Sequence, residues 1–171
     1  MSGPPALSMA TRGPEQTMSM AAAFASICLP DDVVALEGTL GSGKTCFVRG
    51  LAHGLAVTDE RRVISPTFVL MRRHAGRLTL YHFDAYRLHG ADDMEDIGCA
   101  ETFAGGGVSV VEWADRVGEC IPADCFWFTI AVTGESERSF ALAARGLRAA
   151  DRLADTRRVL EPWLVCTPDA P

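Results

Sequence analysis

The segment Gly38-Thr39-Leu40-Gly41-Ser42-Gly43-Lys44-Thr45 constrains this chain more than any other, because it fits the pattern G-x-x-x-x-G-K-[ST]. Its flanks suit the pattern. Residues 33–36 form a short apolar, β-branched run that reads as a buried strand ending at Glu37, and residues 46–55 read as a helix closed near Gly54. A glycine-rich turn between strand and helix directs successive backbone N–H groups inward at a helix N-terminus, which makes a nest for an anion. Phosphate fits such a loop, with Lys44 reaching the outer phosphates and the Thr45 hydroxyl on Mg2+, so ATP with magnesium is the expected ligand.

Amino-acid usage sharpens the point. Lys44 is the only lysine in 171 residues, the other basic residues are all Arg, and there is no Asn. A chain that uses Arg for its other basic side chains keeps Lys where a compact, flexible ammonium is required. The net charge of -6 argues against direct gripping of a nucleic-acid backbone, DNA included, since that needs clustered Lys and Arg. No window reaches the roughly 18 to 20 apolar residues of a membrane span. Residues 18–29 lack the charged flank of a signal peptide, and the cytoplasm is the expected setting. Cys28, Cys46, Cys99, Cys120, Cys125 and Cys166 are scattered without metal-ligand spacing and read as reduced, mostly buried side chains.

Along the chain, residues 1–14 are rich in Pro, Gly, Ser and Ala and read as a mobile leader. Thr17 reads as the N-cap of a helix carrying Met18, Ala21, Ala22, Ala25 and Leu29, ended by Pro30 and Asp31. Residues 67–73 and 77–83 read as a hairpin turning at Ala75-Gly76, and residues 84–98 as acidic and helical. Gly105 to Gly107 lead into an apolar strand at 108–111 that ends on Glu112. Residues 126–132 and 139–144 read as an antiparallel pair about Gly134, followed by a closing helix at 147–160. The expected fold is α/β: a three-layer P-loop NTPase-like arrangement with a mixed, partly antiparallel sheet. The nucleotide-binding domain is expected over residues 15–144, with a C-terminal helix and tail over 145–171.

A magnesium-nucleotide site also needs a carboxylate at the carboxyl end of a neighbouring strand. Glu112 and Asp84 each end an apolar run and qualify, although taken singly either suits a capping or solvated acid. Ser65-Pro66-Thr67-Phe68 offers a rigid turn with two hydroxyls, able to approach a terminal phosphate or to serve as a plain turn. His82 reads as a hydrogen-bonded core residue rather than a ligand. The pairs Arg61 and Arg62, and Arg72 and Arg73, together with Arg87, carry no assigned role.

The loop at 38–45, Ser65-Pro66-Thr67-Phe68, Tyr81-His82-Phe83-Asp84-Ala85-Tyr86-Arg87-Leu88 and Val111-Glu112-Trp113 occur in that order. Together they closely resemble the bacterial TsaE (YjeE) family over residues 15–140. The resemblance implies a partner-dependent ATPase of the machinery that installs threonylcarbamoyladenosine beside the anticodon of tRNA. Its partner would be a TsaB and TsaD heterodimer, and its contact with tRNA indirect. It implies ATP contacts from Gly41, Ser42, Gly43, Lys44, Thr45, Cys46 and Trp113, with magnesium on Thr45 and Glu112. Lys44, Asp84 and Glu112 form the implied catalytic group. Thr39 stands where the family usually has Asp, and Ser42 where Ala is common; neither change removes a phosphate-cradling glycine.

Two other readings use the same loop: a small-molecule kinase, and a nucleotide-dependent binding module that never hydrolyses ATP. A GTPase is disfavoured, since the guanine-reading Asn-Lys-x-Asp signature needs an Asn that this chain lacks. Because Lys44 carries the only side-chain amine, Mg-ATP is expected to slow its acylation in a peptide-mapped labelling experiment. Equal labelling with and without nucleotide would remove Lys44 from the site.

Overall fold

Strand alternation splits the apolar residues into two sets, and a sheet covered on both faces is the result. In the computed structural model, which describes residues 6–59 and 63–165, seven strands form one sheet in the order β1-β7-β6-β2-β5-β4-β3. They are β1 (Leu7–Thr11), β2 (Asp32–Gly38), β3 (Met71–His74), β4 (Leu80–Asp84), β5 (Val108–Glu112), β6 (Cys125–Val132) and β7 (Arg138–Arg145). β2, β4, β5 and β6 run parallel to their partners among themselves, while β1, β3 and β7 are joined antiparallel. The expected mixed, three-layer α/β sheet is therefore present.

On one face Val34, Leu36, Val110, Phe126 and Phe128 meet α1 (Pro14–Ala25) and α2 (Lys44–Gly54). Phe24 of α1 sits edge-on to Phe126 and Phe128, with centroids 5.1 and 5.2 Å away. On the other face Val33, Ala35, Phe83 and Val111 meet Met94 of α3 (Ala91–Asp96) and Cys99 and Phe103 of α4 (Cys99–Phe103). The helices α1 and α2 cross closely, and Gly50 and Gly54 allow it: a Cβ at either would collide with the backbone of Met18 or Ala22. The five cysteines within the described residues are free. No helix among these residues is long and apolar enough to cross a membrane.

Several local readings change. The leader is not uniformly unstructured, because Leu7, Met9 and Thr11 point inward from β1, which pairs Met9 with Phe140 and bridges to Leu164. Its composition concealed a period-2 pattern that becomes a strand only when β7 supplies the ladder. Residues 1–5 lie outside the described residues, as do Arg61, Arg62 and Cys166. Thr17 does not cap α1, which starts with Pro14 at its first turn; the Thr17 hydroxyl is buried 2.8 Å from that of Thr11. The hairpin strands are shorter than expected, since residues 67–70 turn rather than extend and the connection spans residues 75–79. The acidic segment is helical only from Ala91, as α3 and α4. The closing helix is broken at Arg152 into α5 (Gly146–Asp151) and α6 (Leu153–Leu160).

Met9 is fully buried. Met9→Ala is expected to cost about 2–5 kcal/mol, read as a lower urea midpoint. An unchanged midpoint would return β1 to the status of a leader.

Candidate nucleotide site

The site grows from the carboxyl ends of three adjacent parallel strands. The β2–β5 register sets Leu36 beside Glu112, and the β4–β5 register sets Asp84 beside Glu112. Two carboxylates far apart in sequence thus share one edge, each about 2% exposed. Directly after β2 the chain enters the glycine loop. Gly43 caps α2 with φ of 103°, a conformation that excludes ordinary side chains and turns the loop into the helix N-terminus.

The side chains are interlocked. The Thr45 hydroxyl donates to Glu112 at 3.0 Å to Oε1 and 2.9 Å to Oε2. Lys44 Nζ donates to the carbonyls of Gly38 (2.7 Å) and Thr39 (2.9 Å) and lies 3.6 Å from the centroid of the Trp113 ring. Burial pushes the Lys44 pKa below the ordinary lysine value, against the opposing pull of Glu112, Asp115 and Asp84. Trp113 itself holds a left-handed backbone at φ 61°, and its ring packs on Tyr86 with centroids 5.0 Å apart.

Asp84 has a separate retinue. Ser65 and Thr67 hydroxyls both donate to its Oδ2, the latter at 2.8 Å, and the Tyr86 amide donates to Oδ1 at 2.9 Å. The Ser65 turn therefore belongs to the site through Asp84. Leu40, Gly41, Gly43, Lys44, Thr45 and Cys46 line one side of a cleft of about 590 Å³, and Ser65, Thr67, Asp84, Tyr86, Glu112 and Trp113 line the other. The Ser42 side chain is buried within the loop and does not line the cleft. Cys46 also directs its Sγ to the Pro14 carbonyl at 3.5 Å, and burial raises its thiol pKa. The acidic stretch on α3 does not line the cleft.

Arg138 is the residue that sequence reasoning missed. From β7 its guanidinium donates to the carbonyls of Ser42 (3.0 Å) and Gly41 (3.2 Å), gripping the glycine loop from outside. No local signal marks it, because the contact closes 96 residues of chain.

A strand, a glycine-rich loop with Lys44 and Thr45, a helix, and an acid on the neighbouring parallel strand define a P-loop fold. The chain belongs to the TsaE family: the family model described as "Threonylcarbamoyl adenosine biosynthesis protein TsaE" matches residues 11–140. Among its relatives is the tRNA threonylcarbamoyladenosine biosynthesis protein TsaE of Bacillus subtilis (strain 168), 42% identical over 139 residues, which span 81% of this chain and 85% of that one. The protein of the same name from Treponema pallidum (strain Nichols) is 45% identical over 111 residues, 65% of this chain and 81% of that one. The crystal structure of Bacillus subtilis YdiB superposes with a TM-score of 0.74 at 34% identity, covering 89% of this chain and 94% of that one. The expected resemblance over residues 15–140 agrees with these matches.

The loop's grip by Arg138 is open to direct measurement. Arg138→Met is expected to speed hydrogen exchange of the Gly41 to Gly43 amides about tenfold, since two charge-assisted bonds are lost. Unchanged exchange would show that the loop holds its shape without Arg138.

Proposed function

We propose that this protein binds ATP with Mg2+ and hydrolyses it as a component of tRNA threonylcarbamoyladenosine biosynthesis, acting on a TsaB and TsaD pair in the cytoplasm. The observation that carries the reading is the Thr45–Glu112 pair at 2.9–3.0 Å, with Asp84 in the adjoining register position and Lys44 beside it. All the candidate donors are hard oxygens, which suits magnesium, an ion that takes one or two protein ligands and completes its shell with phosphate and water. Among the described residues no cluster of three or more His, Cys, Asp or Glu competes as a metal site.

Thr45 and Glu112 would hold the ion, which supplies neutralisation of the charge on the transferring phosphoryl group. Lys44 exchanges its contacts with the Gly38 and Thr39 carbonyls for phosphate oxygens. The loop amides 41–46 receive the remaining phosphate oxygens at the N-terminus of α2. Asp84, fixed by Ser65 and Thr67, accepts a hydrogen bond from the attacking water and aligns it. Trp113 and Tyr86 line the cleft. The net charge of -6 favours contact with tRNA through the partner pair rather than directly.

Lys44→Ala is expected to abolish ATP binding in a titration while the circular dichroism spectrum stays unchanged. Asp84→Ala is expected to lower kcat about 100-fold and leave ATP affinity near that of the parent. Turnover with and without TsaB and TsaD decides the rest: the reading requires the pair to raise it. Phosphate transfer to a small acceptor, or turnover indifferent to the pair, would replace it with a kinase or a stand-alone ATPase.

A further inference from the structure

His82 stands out as a buried polar side chain in an otherwise apolar strand interior. It is fully buried, and its Nε2 lies 2.7 Å from Glu112 Oε1. Its Nδ1 has no partner among the described residues. Leaving a buried ring nitrogen unmatched costs stability, so packing alone favours an apolar residue here. Leu80, which shares this face of β4, shows that the strand accepts one.

The register explains the reach. His82 pairs across the β4–β5 ladder with Val110, and Glu112 lies one step further along the same face. The imidazole spans that diagonal and meets the carboxylate from the side of the sheet, while Thr45 meets it from the side of α2. Glu112 Oε1 therefore receives both His82 and Thr45, whereas Oε2 receives Thr45 alone. A carboxylate oxygen is an acceptor, so the contact calls for a hydrogen on Nε2, while Nδ1 is left without a partner among the described residues.

We infer that His82 is a positioning residue: by donating Nε2–H to Oε1 it pins the Glu112 carboxylate and leaves Oε2 as the one oxygen offered to a divalent cation beside Thr45. The inference rests on the proposed magnesium site. With Oε1 held by His82, Oε2 would be the Glu112 oxygen left to a cation that took the Thr45 hydroxyl away from the carboxylate. Partners of this kind behind a metal ligand typically carry about 10-fold to 100-fold in metal affinity. The neighbouring His74 ring has its centroid 6.3 Å from that of the His82 imidazole.

The test is Mn2+ binding to the full chain in the presence of ATP, followed by electron paramagnetic resonance, for wild type, His82→Leu, His82→Gln and Glu112→Gln. His82→Leu is expected to weaken Mn2+ about tenfold while ATP affinity in EDTA stays at the wild-type value. His82→Gln, which keeps a donor, is expected to recover most of the loss. Wild-type Mn2+ affinity in His82→Leu, with Glu112→Gln deficient, overturns the inference and leaves the magnesium site standing. Wild-type affinity in both variants overturns the magnesium site and the inference together. Nitrogen NMR of the imidazole in the unmutated protein gives a check that needs no folded variant. Nε2 is expected to carry the hydrogen, and a bare Nε2 overturns the inference.

Discussion

A buried carboxylate must be satisfied where it stands, and Glu112 joins the three parts of this molecule because of that requirement. It ends β5, accepts the Thr45 hydroxyl from α2, and meets the His82 ring from β4. β5, the glycine loop's helix and the strand carrying Asp84 are thereby held in a fixed relation. Its backbone contributes too, since the Glu112 carbonyl accepts the Ala85 amide and sets the turn that leads to Tyr86.

The glycine loop is held in shape by cations that occupy its carbonyls. Lys44 covers those of Gly38 and Thr39 from within, and Arg138 covers those of Gly41 and Ser42 from without. Within the loop the Ser42 amide also donates to the Thr39 carbonyl, at 3.1 Å, so the turn is braced from its own backbone as well. Preorganisation of this kind lowers the ordering cost of binding. The Lys44 ammonium, close to Trp113 and bonded to two carbonyls, is partly desolvated, and its hydrogen-bond partners are neutral acceptors rather than a carboxylate.

The two aromatic walls and the Ser65 turn show how the site divides its tasks. Ser65 and Thr67 commit their hydroxyls to Asp84, so the turn fixes the acid's orientation. Trp113 combines a left-handed backbone with a ring that lies against the Lys44 ammonium. Phe68 remains exposed at the rim, with Arg87 stacked 4.5 Å from its centroid.

The sequence by itself determined the P-loop, the strands that bracket it and the strand endings at Asp84 and Glu112. Each is a local pattern: glycines and a Lys-Thr pair in fixed order, apolar runs, an acid where the run stops. It also marked His82 as a hydrogen-bonded core residue, without naming its partner. Tertiary structure decided what depends on register between distant segments. Leu7 to Thr11 became a strand because β7 offered an unpaired edge, against a composition that reads as a leader. The hairpin and the closing helix broke where residues 67–70 and Arg152 met neighbours that local propensity does not see. The pairing of Asp84 with Glu112, the His82 contact and the Arg138 clamp follow from sheet order and pleat. Hydrogen bonds that close loops of 30 to 96 residues leave no periodic trace in the chain.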